Sequence, residues 1–209
     1  MKREDGPPTR ILVATRNGHK LEEIRGLLAD LPLRVLSPDD LELAESAAER
    51  DVESWETFEG NAIAKARYFR RITGLPTLAD DSGLRVDPLG GAPGVRSRRY
   101  APAPGPDPDA ANNAHLLEAL RGVPDHERTA HYACAMAFLS APVSVVVTGR
   151  VYGRIGRDPR GSGGFGYDPL FILADGDRTY AELDPSVKAE TSHRARAVAA
   201  LRPWLAGLA

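Results

Sequence analysis

Among the 209 residues, the adjacent acids Asp80 and Asp81 stand out chemically, set between Thr77-Leu78-Ala79 and Ser82-Gly83-Leu84. Carboxylates are hard oxygen ligands of the kind magnesium accepts beside phosphates, and one close to a metal-held water can take its proton. Successive side chains of an extended chain point to opposite faces, so only one of the two acids faces a given site. The other is left to orient backbone or cap a turn. Read alone, Asp-Asp-Ser-Gly at the end of a strand is an ordinary exposed acidic turn. Asn17 and Lys20 form a second candidate, in a loop that feeds a helix. Such a loop offers free N–H groups and a favourable dipole to phosphate, while Asn17 adds an amide and Lys20 a point charge. The G-x-x-x-x-G-K-[ST] spacing of a P-loop is missing, and a capping loop with a solvated lysine has the same composition.

Two further groups lie near the C-terminus. Gly163-Gly164-Phe165-Gly166-Tyr167-Asp168-Pro169 sets aromatics and an acid among glycines. Glycine lets backbone approach a ligand closely, and an aromatic face can stack on a base; a loop whose aromatics cover the core is the equal alternative. Lys188 with Ser192-His193-Arg194 places cationic groups at a helix start, suited to an anion or a carbonyl oxygen, or simply to water.

These groups need elements to position them. Ile11-Leu12-Val13-Ala14-Thr15 reads as a buried strand, and Leu21, Ile24, Leu27 and Leu28 then recur with helical spacing. Leu33 to Leu36 predicts a second strand, and residues 41–56 a loop with possible short helix. A helix is expected from Phe58 to Ile72, stopped by Gly74 and Pro76. Thr77-Leu78-Ala79 leads as a strand into the acidic segment and Leu84-Arg85-Val86 resumes it. After a glycine-rich loop (90–94) and a proline-rich connector (101–108), a helix is expected over Asp109–Leu120. Thr129–Leu139 and Val143–Val151 predict an antiparallel hairpin, followed by a short strand near Leu170–Leu173 and a closing helix over Thr191–Leu205. Parallel and hairpin signals together indicate an α/β fold with a mixed sheet flanked by helices.

Composition narrows the function classes. The chain is 42% hydrophobic and 27% charged with a net charge of −2, so no basic excess steers it toward nucleic acid or an anionic membrane. The lone Cys134 excludes an intramolecular disulfide, and no Cys/His group has zinc spacing. No run is apolar enough to span a bilayer, and residues 1–9 read as a charged, disordered tail rather than a secretory signal. A cytoplasmic protein with one domain over 10–206 is the expectation.

The order of the blocks narrows it further. Thr15-x-Asn17-x-x-Lys20, Phe58-x-x-Asn61-Ala62-x-x-Lys65-Ala66, Ala79-Asp80-Asp81-Ser82-Gly83-Leu84 with Val86-Asp87, Pro93-Gly94, Arg99-Tyr100, the Gly163–Phe171 block, and Lys188 with Ser192-His193-Arg194 follow one another over almost the whole chain. This succession resembles the inosine/xanthosine triphosphate pyrophosphatases, which remove non-standard purine nucleotides. The resemblance implies two lobes with a substrate cleft between them, and cleavage between the α- and β-phosphates of ITP, dITP or XTP with Mg2+ as cofactor. It also implies a homodimer, while the charge and composition point away from nucleic-acid and membrane partners. It assigns Asp81 as catalytic carboxylate and, with Glu53, as metal ligand, leaving Asp80 as structural support. Thr15, Arg16, Asn17, Gly18, His19, Lys20 and Lys65 would hold phosphates, and Ser82 would touch substrate. Phe165, Gly166 and Tyr167 would lie against the purine, with Asp168, Lys188, His193 and Arg194 around its edge. Donors aimed at a 6-oxo group would meet adenine's amino group donor to donor, which discriminates strongly. The chain departs from the family pattern at His19, often glycine, and at Thr191, usually aliphatic. Arg96 and Arg98 add charge beside Ser97 and Arg99. A pyrophosphatase for other modified nucleotides and a non-catalytic nucleotide-binding module are the alternatives.

Overall fold

The computed structural model describes residues 8–103 and 105–208. Residues 1–7 of the expected tail lie outside them, whereas Thr9 already opens the first strand. The strands are β1 (Thr9–Val13), β2 (Leu33–Leu36), β3 (Thr77–Val86), β4 (Thr129–Leu139), β5 (Ser144–Ile155) and β6 (Phe171–Leu173). They hydrogen-bond in the order β2-β1-β3-β4-β5-β6. β1 is parallel to β2 and β3, and β5 is antiparallel to β6. The sheet is therefore mixed, as the sequence pattern indicates.

The α-helices are α1 (Gly18–Leu27), α2 (Ala47–Arg50), α3 (Phe58–Thr73), α4 (Pro108–Ala119), α5 (Pro185–Thr191) and α6 (His193–Ala206). Their ends follow from local chemistry. Asn17 caps α1 by accepting from the Lys20 amide at 3.1 Å, and Thr57 caps α3 by accepting from Gly60 at 3.1 Å. Gly74, with φ of 70°, closes α3 in a conformation that favours glycine.

Two expectations are corrected. β3 runs unbroken through Asp80-Asp81-Ser82-Gly83, so the acids sit inside a strand and not in a turn. The strand is hydrogen-bonded to a neighbour on each side, and the buried acids meet lysines and an asparagine instead of water. The closing helix begins at His193; Thr191 and Lys188 belong to the separate short helix α5. Ser192 lies between them in an extended conformation, and its hydroxyl accepts from the Ala195 amide at 3.1 Å, giving α6 a start of its own.

The chain divides into two compact units. One comprises the chain up to Asp81, Ala135–Thr148, and the chain from Ala197 onward; the other comprises Ser82–Cys134 and Gly149–Arg196. In the first, Ile11, Leu12 and Val13 of β1 are fully buried, the continuous apolar run of a parallel strand covered on both faces. The buried side of α3 is Phe58, Asn61, Ala62, Ala66 and Phe69, a helical stripe with one polar member. The second unit has its own core, which includes Leu84, Leu116, Leu120, Tyr132, Ile155, Phe171 and Tyr180. Its fully buried Arg128 donates to the carbonyls of Leu120, Ile155 and Gly156 at 2.8–2.9 Å. The end of α4 is thereby tied to the end of β5.

Candidate active site

In the first unit, the strand β3 and the helices α1 and α3 bring opposite charges together. Lys20, in the first turn of α1, places Nζ 2.9 Å from Asp80 Oδ2, and the Asp80 side chain is fully buried. Lys65 of α3 donates to Glu53. Asn61, one turn before Lys65, donates from Nδ2 to Asp81 Oδ2 at 2.8 Å and accepts from the Trp55 amide at 2.9 Å. Since an N–H can bond only to the amide oxygen, the Trp55 contact fixes which end of Asn61 faces Asp81.

The charges are mutually dependent. Burial raises the Asp81 carboxyl above its ordinary range, while Lys20, Lys65 and the Asn61 hydrogen bond act against that rise. Burial would also raise Glu53, but Lys65 and then Lys20 hold it below the ordinary value. Burial favours a neutral Lys65; Asp80 and Glu53 overcome this and raise its pKa. Asp80 is thus more than a backbone support, because it acts electrostatically on Lys65 as well as pairing with Lys20. Strand alternation gives the two acids different hydrogen-bonding partners without separating their charges.

The rest of the first loop is occupied locally. The Thr15 hydroxyl accepts from the Asn17 amide at 3.2 Å, and Gly18 and His19 are exposed. Arg16 makes a two-pronged bond to Glu49 at 2.6 and 2.9 Å, pairs with Asp39 at 2.6 Å and donates to Leu43 O at 2.9 Å. Of the loop residues expected to hold phosphate, Lys20 pairs with Asp80, while Arg16 fastens the loop to residues 39–49.

The second unit gathers the other predicted residues around Asp168. Its Oδ2 accepts from the Phe165 amide at 2.8 Å and from Lys188, and its Oδ1 from the Tyr132 hydroxyl at 3.3 Å. Lys188 Nζ also lies 4.7 Å from the centre of the Phe165 ring, a cation–π contact. His193 stacks on Tyr132 with centroids 4.9 Å apart and 12° between planes. The almost wholly buried Arg194 donates to Ser82 Oγ at 3.1 Å. Gly164 has φ of 75°, and a Cβ there would overlap Asp168 Oδ2, so glycine is required twice over. Gly166 is clamped from α4: its amide donates to Asp109 at 2.7 Å and its carbonyl accepts from Asn113 at 3.0 Å. Tyr167 is buried, and its hydroxyl donates to Ser97 O at 2.9 Å, which makes it an anchor of the loop.

Sequence reasoning placed Asn61 in an ordered block without giving it a role, and missed Tyr132, Asp109 and Asn113 as parts of these two groups. A polar residue on the otherwise apolar stripe of α3 was the available signal for Asn61. Tyr132 gave none, since a tyrosine in an apolar strand looks like any core aromatic.

Among the described residues no group of three or more His, Cys, Asp and Glu side chains is placed to hold a metal ion, and no helix is long and apolar enough to cross a membrane. The acids of the first unit are nevertheless oxygen donors of the right kind for magnesium. That ion keeps much of its water and is bound through one or two carboxylates plus substrate phosphates, not by an all-protein cage.

The chain is similar to known proteins over nearly its full length. A dITP/XTP pyrophosphatase of Nocardia farcinica is 48% identical over 204 residues, covering 96% of each chain. A dITP/XTP pyrophosphatase of Pseudomonas syringae pv. tomato is 46% identical, covering 94% of this chain and 97% of its own. The solved HAM1 protein from Coxiella burnetii superposes with a TM-score of 0.83 at 39% identity, over 95% of this chain and 99% of its own. A solved nucleoside-triphosphatase/dITP/XTP pyrophosphatase from Mycobacterium abscessus gives a TM-score of 0.73 at 44% identity, over 93% of this chain and all of its own. Residues 11–204 match the Ham1 family as one block, and this chain belongs to that family.

Proposed function

We propose that this chain is a nucleoside-triphosphate pyrophosphatase that hydrolyses dITP, ITP and XTP to the monophosphate and pyrophosphate. The observation that carries the reading is the cluster of Glu53, Asp80 and Asp81 with Lys20 and Lys65. Relatives that are dITP/XTP pyrophosphatases and cover 94–96% of this chain support the substrate class.

Phosphoryl transfer needs little covalent help, so positioning and charge neutralisation dominate. Lys20 and Lys65 bring positive charge to the phosphates. Asp81, oriented by Asn61, takes a proton from the attacking water as the phosphorus–oxygen bond forms and the α–β phosphoanhydride breaks, with pyrophosphate leaving. Glu53 and Asp81 would hold Mg2+, which when bound supplies further charge neutralisation on the phosphates. Phe165 offers the face for the purine, and Lys188, His193 and Arg194 the donors for its oxo edge, while Ser82 joins Arg194 beside the substrate. The same reading takes 10–206 as one catalytic domain, acting in the cytoplasm as a homodimer. The net charge of −2 supports a small-molecule substrate over nucleic acid.

Steady-state rates test the base specificity. ITP, dITP and XTP are expected to exceed dATP and dTTP in kcat/KM by at least about a hundredfold. Equal turnover of dATP and dITP would contradict the reading.

A further inference from the structure

The base-side groups of the second unit share a member that no proposed contact with substrate includes. Tyr132, on β4, is 7% exposed and lies in the core. Its hydroxyl donates to Asp168 Oδ1 at 3.3 Å, and its ring stacks on the His193 imidazole at 4.9 Å and 12°. The opposite demands on that ring are apolar: Phe171 packs at 4.7 Å and 54°, and Tyr180 lies parallel at 6.0 Å and 14°. Asp168 in turn accepts from Lys188 and from the Phe165 amide. One side chain therefore touches α6 through its face and, through its hydroxyl, the carboxylate that holds both α5 and the glycine loop.

From this geometry we infer that Tyr132 is a positioning residue for base selection, acting through Asp168 and His193. The proposal rests on the function proposed above. Lys188, the Phe165 amide and the Tyr132 hydroxyl all donate to Asp168, so this acid orients Lys188 and Phe165. A tilt of the carboxylate moves both together. The stack with Tyr132 fixes the plane of the His193 ring and hence the direction in which its nitrogens point. Discrimination by donor against donor depends on holding such groups within about half an ångström of their places. Burial in the core supplies rigidity; the hydroxyl supplies the link to the carboxylate.

Tyr132→Phe separates positioning from packing, because it keeps the ring and removes only the hydroxyl. It is expected to lower kcat/KM for dITP about tenfold, mainly through KM, and to leave the slow turnover of dATP within about twofold. The dITP/dATP preference then narrows about tenfold, a change that lost stability alone does not produce because it lowers both rates alike. Asp168→Asn keeps the shape of the acid and serves if the tyrosine variant folds poorly; it is expected to narrow the preference at least as much. The double variant is expected to be no worse than Asp168→Asn alone, as for two members of one relay. Equal losses for dITP and dATP, an unchanged preference, or additive effects in the double variant would each overturn the proposal. A wild-type protein with no preference for dITP over dATP would instead sink the functional reading on which it rests.

Discussion

Asp81 is a buried acid whose ionisation is opposed by burial and favoured by Lys20, Lys65 and Asn61. Replacing it with Asn keeps its shape and removes the base. Asp81→Asn is expected to reduce pyrophosphate release by about a thousandfold or more while a nucleotide-binding assay still registers dITP. Turnover within tenfold of wild type would move the catalytic role to another group. At Gly164 the constraint is steric, since φ is 75° and a Cβ would overlap the Asp168 carboxylate. Gly164→Ala is expected to destabilise the fold by about 2 kcal/mol and raise KM for dITP, as read by denaturant melts and initial rates. An unchanged KM would mean that the loop does not set base affinity. The two acids of β3 were visible in the sequence as a pair, and spacing alone allowed a turn. Their separate partners were not visible, because Lys20 and Asn61 come from helices distant in the chain.

Most elements were legible from period and punctuation. Leu33–Leu36, the helix starting at Phe58 and the strand Thr129–Leu139 lie where the residue pattern indicates. The error at β3 came from weighing Asp and Gly by their turn preference, which tertiary pairing on both sides of a strand overrides. The missed break between α5 and α6 is of the opposite kind: helical residues run on through Thr191 and Ser192, and only the Ser192 hydroxyl marks a new start. Packing between elements was illegible because single polar residues do it. Asn112 of α4 is an instance, accepting from the amides of Tyr100 and Ala101 at 3.0 and 2.8 Å and donating to Arg98 O at 3.2 Å. Asn112→Leu leaves those backbone groups without their partner and is expected to cost about 2 kcal/mol or more in a urea titration. A loss under about 0.5 kcal/mol would show that water satisfies them instead.

For the whole molecule, the buried phenols link stability to alkaline pH. Burial, reinforced by the nearby Asp168 carboxylate, raises Tyr132 well above the usual tyrosine value of 10.0, and burial raises Tyr167 in the same direction. The unfolded chain therefore loses these protons first. Stability is full below the unfolded tyrosine value and falls as pH rises through it toward the folded values. Unfolding free energy is expected to decline between about pH 9 and pH 11, and to decline less in Tyr132→Phe. Equal slopes in the two proteins would remove Tyr132 from that linkage. Family membership extends over residues 11–204, the same stretch along which the ordered blocks lie. The reaction itself is tested most directly by identifying the products from dITP with and without Mg2+. Pyrophosphate and dIMP in equal amounts, formed only when Mg2+ is present, is the expected result. Orthophosphate with dIDP, or undiminished turnover in chelator, would contradict it.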